Sequence, residues 1–276
     1  MKTPSLRTVV VALAVATLVA AGCGDDDDDA TVADSGSDPT DQAAADSGDS
    51  GAYCDASLAI ETAPEPEIDY PTATPDEIAA GLQTWAEGTM QPLIDDVVAV
   101  TPDEINGDVE VMTDAFEQVA AGNPSAFDVP EVVAAEAAIH QYDLGTCGWT
   151  SHEVSAKDYE FVDLPTELSA GVTSFEFSNE GTEVHELMLA KKNDGVTDSA
   201  ADLLALPEDE AMTKITIIGS PAFALPGESD YKVADLEPGD YVAVCFIPTG
   251  MTSDDGPPPE GAPHFTHGMV AELTVT

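Results

Sequence analysis

The chain has 276 residues and a formal net charge of −47, from 54 acidic residues against seven basic ones. A field of that sign excludes nucleic acid and anionic membrane as partners of the folded part. The acids are spread over every segment, the distribution of a generally solvated surface; the functional alternative is a docking face for a basic redox partner.

At the start, Lys2 and Arg7 precede an apolar run, Val9 to Ala21, that ends in Ala20-Ala21-Gly22-Cys23. A basic opening, a short apolar stretch and small residues before a cut describe a secretory signal peptide over residues 1–22. The run is too short to cross a bilayer. Cys23 after Ala-Ala-Gly resembles the bacterial lipobox. That resemblance implies cleavage before Cys23, a lipid on its sulfur, and a cell-membrane protein facing the extracytoplasmic side. Residues 23–52 follow as a tether rich in Asp, Ser, Gly and Ala, with too little to bury and one sign of charge.

Residues 53–152 read as a small helical domain. Thr74-Pro-Asp-Glu77-Ile and Thr101-Pro-Asp-Glu104-Ile repeat the same five residues. Each is predicted to place Thr at an N-cap, Pro at the first helical position and Glu where it closes a capping box. Ile78, Leu82 and Trp85 recur at helical spacing after the first. Ile105, Val109, Met112, Phe116 and Val119 do so after the second. A third helix is predicted to start after Asp128-Val-Pro130. His140 lies alone on it and reads as a structural or surface histidine, and His152-Glu153 at the domain junction reads as linker.

Residues 153–276 change to period two. Runs such as Thr173–Ser178, Val184–Lys191, Lys214–Ile218, Tyr231–Leu236, Asp240–Ile247 and Met269–Val275 alternate apolar and polar residues between Gly and Pro turns. About seven such strands predict an antiparallel all-β sandwich, with a short helix over 199–206.

There are four cysteines. With Cys23 lipidated, three remain in an oxidising compartment, and the odd number singles out one thiol for another task. Cys54 and Cys147 bracket the helical stretch and are predicted to pair, which leaves Cys245. An exported free thiol is a liability unless something coordinates it. Cys245 ends the run from Gly239, His185 opens a strand, and His264 and Met269 lie near the C-terminus. One thiolate, two imidazoles and a thioether are the donors of a mononuclear copper site. Strand period puts His185 with Leu187 and Leu189, Cys245 with Tyr241 and Ala243, and Met269 with Ala271 and Leu273, so all three can face one interior.

The segment from Tyr159 to Thr276 resembles the cupredoxins, plastocyanin-like domains above all. The resemblance is carried by Phe177-Ser-Asn179-Glu-Gly181 before His185, Leu236-Glu-Pro-Gly-Asp-Tyr241 before Cys245, and the spacing of His264 to Met269. It implies a Greek-key sandwich, one type 1 copper on His185, Cys245, His264 and Met269, and one-electron transfer with no enzymatic activity. Eighteen residues, Phe246 to Pro263, separate Cys245 from His264, where the family usually has two to four. His267 is therefore an alternative to His264. The competing readings are a metal-free binding or structural lipoprotein and a copper carrier. Five histidines are too few for a multicopper oxidase, and no Ser-His-Asp set or Gly-rich phosphate loop occurs.

Overall fold

The computed structural model describes residues 49–66, 68, 73–123, 125–253 and 259–276. The predicted signal peptide, Cys23 and almost all of the tether lie outside the described residues. Five helices form the first part: α1 (Asp49–Glu61), α2 (Pro75–Trp85), α3 (Gln91–Val100), α4 (Asn106–Ala120) and α5 (Pro130–Thr146), with a π-turn over Ala86–Met90 joining α2 to α3. None of the described helices is long and apolar enough to cross a membrane.

The two Thr-Pro-Asp-Glu segments behave differently. At Thr74 the capping box forms: the Glu77 N–H donates to Thr74 Oγ1 at 3.3 Å, and the Thr74 N–H donates to Glu77 Oε2 at 2.8 Å. At Thr101 it does not, and the second predicted N-cap is corrected. The Thr101 hydroxyl donates instead to the Val97 carbonyl at 2.7 Å and closes α3, while α4 begins later, after Ile105. The Thr101 side chain is turned back onto α3 and the backbone after it forms a turn, so no helix starts there for it to cap. Leu82, Trp85, Met90, Ile94, Phe116, Val119 and Phe127 fill the helical core. Cys54 in α1 is disulfide-bonded to Cys147 just past α5.

Two sheets follow. Strands β1 (Thr150–Lys157), β2 (Glu160–Val162), β3 (Glu167–Leu168), β4 (Gly171–Asn179) and β5 (His185–Lys192) precede two short helices, α6 (Ala200–Leu204) and α7 (Glu208–Ala211). Strands β6 (Ile215–Ile217), β7 (Ala222–Ala224), β8 (Ser229–Leu236), β9 (Gly239–Val244) and β10 (Val270–Val275) complete the chain. One sheet has the order β2-β1-β4-β8, the other β3-β10-β9-β5-β6, with β7 on β5. The sandwich is mixed rather than purely antiparallel, because β1 runs parallel to β4 and β3 parallel to β10. His152 and Glu153 are residues of β1, not linker; Val154 and Ala156 beside them alternate into the core.

The interior joins Phe175 and Phe177 of β4 to Leu187 and Leu189 of β5, Tyr241 and Ala243 of β9, and Leu273 and Val275 of β10. Both sheets are also covered on their outer faces. The helical part packs Leu58 and Leu144 on Tyr231 and Val233 of β8. Helix α6 packs Ala200 and Leu203 on Val242 and Val244 of β9. His140 sits in the first of these seams, stacked on Tyr231 at 3.5 Å between centroids, with Nε2 at 3.0 Å from Glu176 Oε1. The architecture is a helical domain followed by a mixed two-sheet β-sandwich.

Candidate metal centre

The centre is assembled at one end of the sandwich by three backbone devices. The first is the turn between β4 and β5. Asn179 donates from Nδ2 to the Glu183 and Ala224 carbonyls, both at 2.8 Å, and accepts the Gly181 N–H at 2.8 Å through Oδ1. These bonds tie the turn to β7 and deliver His185 inward. A side chain at position 181 would place its Cβ 2.7 Å from His185 Nε2, so only glycine fits against the ring.

The second device is the neck of the long excursion between Cys245 and His264. The Phe265 N–H donates to the Cys245 carbonyl at 3.0 Å, the His264 N–H to Ile247 at 2.9 Å and the Thr249 N–H to Ala262 at 2.9 Å. Pro248 and Pro263 form a bridge at the same place. The two strands of the neck thus restore the register that a short loop would have imposed, whatever chain lies beyond them. Residues 254–258 of this excursion lie outside the described residues. Gly261 is required in the neck, since a Cβ there would fall 2.1 Å from the Thr249 carbonyl oxygen.

The third device is the turn at Gly268, whose φ of 113° favours glycine. It lets the Met269 N–H donate to the His264 carbonyl at 3.2 Å, while the Cys245 N–H donates to the Met269 carbonyl at 3.2 Å.

The result is convergence. His185 Nδ1 lies 3.1 Å from His264 Nδ1, and Cys245 Sγ lies 3.4 Å from the same nitrogen. Ligand atoms of the three residues all fall within 4.8 Å of one another, and no other such trio occurs among the described residues. His185, Cys245, His264 and Met269 are each 0% exposed. His267 is exposed at the rim, 5.0 Å from the Tyr159 ring, so the structure brings His264 and not His267 to the other donors.

One residue of the centre had no role in the sequence reading. Glu183 accepts from His264 Nε2 at 3.0 Å and from the Gly250 N–H at 2.7 Å through Oε2, and from the Tyr159 hydroxyl at 3.2 Å through Oε1. Its position two residues before His185 is the signal that could have found it, but in so acidic a chain one more Glu draws no notice. Burial works against the Glu183 carboxylate, yet the Gly250 N–H, His264 and the Tyr159 hydroxyl together hold its pKa below the usual range. Tyr159 also covers the His264 ring, with centroids 4.8 Å apart.

The carboxylate of Glu183 selects the His264 tautomer. With Nε2–H donated to Glu183, His264 presents an unprotonated Nδ1 to the centre. His185 is lowered to about 4 by burial and by its neighbour His264, against a smaller opposing effect of Glu183, so it is neutral near pH 7. Its Nε2 is buried without a partner among the described residues. If Nε2 carries the proton, two Nδ1 lone pairs face one another at 3.1 Å; if Nδ1 carries it, a bare Nε2 is left buried. A cation between the two Nδ1 atoms and Cys245 Sγ resolves the first of these arrangements. Burial pushes the Cys245 thiol up, with Glu186 adding to the shift. Only a bound cation would make such a thiol a thiolate near neutral pH. Two neutral imidazoles, one thiol and a buried thioether beside them fit one type 1 copper.

No family model matches the sequence, and no curated protein matches it. Solved structures are similar to part of it. One is auracyanin from the photosynthetic bacterium Roseiflexus castenholzii, at 21% identity, covering 46% of this chain and 97% of that one with a TM-score of 0.29. A second is auracyanin A, described as a blue copper protein from Chloroflexus aurantiacus, at 20% identity over 46% and 98% with a TM-score of 0.29. A third is rusticyanin from Thiobacillus ferrooxidans, at 15% identity over 46% and 78% with a TM-score of 0.29. At that TM-score the likenesses carry no weight here, and the metal centre rests on its own donors.

Proposed function

We propose that the protein is an extracytoplasmic one-electron carrier with one copper held by His185, Cys245, His264 and Met269. The observation that supports this most directly is the meeting of two imidazole nitrogens with an unpaired, fully buried cysteine. Copper bound there would supply a Cu(II)/Cu(I) couple. The chain's part is to fix the donors before the metal arrives. Asn179 and Gly181 set the His185 ring, Glu183 sets the His264 tautomer, and the neck at Pro248 and Pro263 sets His264 against Cys245. Donors held in advance by a rigid sandwich change little between oxidation states, which favours electron transfer. Complete burial of all four side chains excludes solvent ligands and slows metal exchange, which disfavours a copper-delivery role.

The lipid on Cys23 would hold the domain at the outer face of a membrane through the acidic tether, and the strongly acidic surface would suit a basic redox partner. Reconstitution with Cu(II) tests the metal, with one tightly bound copper per chain expected; no copper and a reactive Cys245 thiol would overturn it. Cys23→Ser tests the anchor. The variant should leave the membrane fraction, and unchanged maturation and membrane association would dismiss the lipid.

A further inference from the structure

Each of three donors in the centre is followed by a residue that lines a second space: Glu186 of β5 after His185, Phe246 just past β9 after Cys245, and Phe265 in the helical turn after His264. All three line one cavity of about 690 Å³, closed on its far side by α6 and α7. That volume is in the range of small-molecule sites, roughly 300–1,000 Å³. Its walls are otherwise mostly apolar, with Met188, Leu203 and Val244 among them, and the exposed Glu208 of α7 stands at its edge.

Glu186 is the buried charged group among them. It is only 7% exposed, and its Oε1 accepts the Phe246 N–H at 2.7 Å. No Lys or Arg lines the cavity to neutralise it. Folding has already removed most of this carboxylate's surface from water. A cationic occupant therefore meets a carboxylate that has already lost most of its contact with water, and most of the remaining desolvation cost is its own. Phe246 and Phe265, packed edge to face at 5.4 Å, offer ring faces to a cation. The net charge of −47 repels anions from the mouth and concentrates cations there.

We infer that this cavity is a binding site for a small organic monocation, an ammonium carried on an apolar body, with the ammonium on Glu186 Oε2 and the body between the sheet and α6. The site goes beyond the copper reading and is independent of it, since none of its lining residues is a proposed ligand. Its occupancy would still reach the centre, because the Glu186 to Phe246 hydrogen bond lies next to Cys245 in the chain.

The test is calorimetry on the full-length, metal-free protein with 2-naphthylmethylamine, using 2-naphthalenemethanol as the neutral control. The ammonium should bind about 10- to 100-fold more tightly than the alcohol, as a charged hydrogen-bond partner requires. Glu186→Gln should bring the two ligands to similar affinity. Leu204→Trp, which fills the cavity from α6, should weaken both at least tenfold. An alcohol as tight as the amine, or an amine preference that survives Glu186→Gln, would overturn the assignment. So would binding that Leu204→Trp leaves unchanged, since it would report the acidic surface instead. Metal-free protein keeps this outcome separate from any failure of the copper reading.

Discussion

Replacing Glu183 with Ala removes one carboxylate that serves three donors: His264 Nε2, the Gly250 N–H and the Tyr159 hydroxyl. The His264 ring is 0% exposed, so its Nε2–H would lose its only partner among the described residues. A buried donor left unsatisfied costs about 1–3 kcal/mol, and the Glu183 side chain is itself 20% exposed, so water can enter its place. The lower half of that range, about 1–2 kcal/mol, is expected for the metal-free protein. Metal affinity should suffer more. A second partner that orients a ligating histidine is typically worth about 10- to 100-fold in affinity. Glu183→Gln separates shape from charge, since the amide oxygen can still accept from His264 and Gly250. It should retain most of the affinity and raise the reduction potential, because a negative charge beside the ligand is gone. Chelator competition measures the affinities and a redox titration the potential. An Ala variant that binds copper as tightly as the parent would refute the reasoning.

Gly181→Ala should push His185 away from the centre, because its Cβ would sit 2.7 Å from Nε2 where ordinary contacts begin near about 3.5 Å. A loss of about 1–3 kcal/mol in thermal unfolding and a weakened copper site are expected, and an unchanged melting curve would count against the packing described. Reducing the Cys54–Cys147 disulfide, 93 residues apart, should cost up to about 4–5 kcal/mol, read as a fall in the melting temperature of the helical part. Glu61→Gln should stabilise the protein increasingly as pH rises from 5 to 8. Burial, then Glu136 and Asp143, raise Glu61 well above the usual carboxyl range. A carboxyl with a raised folded-state pKa adds stability at low pH and loses it as pH climbs toward that value, whereas Gln does not titrate. A difference in melting temperature that is flat across that window would contradict the burial of Glu61.

The donors and the sandwich were legible because strand period and cysteine parity do not depend on tertiary detail. His185, Leu187 and Leu189 alternate visibly, as do Leu273 and Val275. The alternation fades in β8 and β9, where Tyr231, Val233, Val242 and Val244 are buried beneath helices on the outer faces. The choice of His264 over His267 could not come from spacing across an eighteen-residue excursion, because it is made by the hydrogen-bonded neck at Pro248 and Pro263. Thr101 shows the limit of local motifs. It repeats the residues around Thr74 but follows a helix that claims its hydroxyl. Glu183 was hidden for a different reason: composition makes acids uninformative here, and only the geometry distinguishes this one.

The central claim is that Cys245 is a copper thiolate, and the visible spectrum of the copper-reconstituted protein tests it most directly. Thiolate-to-copper charge transfer should give an intense visible band that Cys245→Ser abolishes while His267→Ala leaves it intact. A colourless copper complex in the parent protein, or a band that survives Cys245→Ser, would contradict the account.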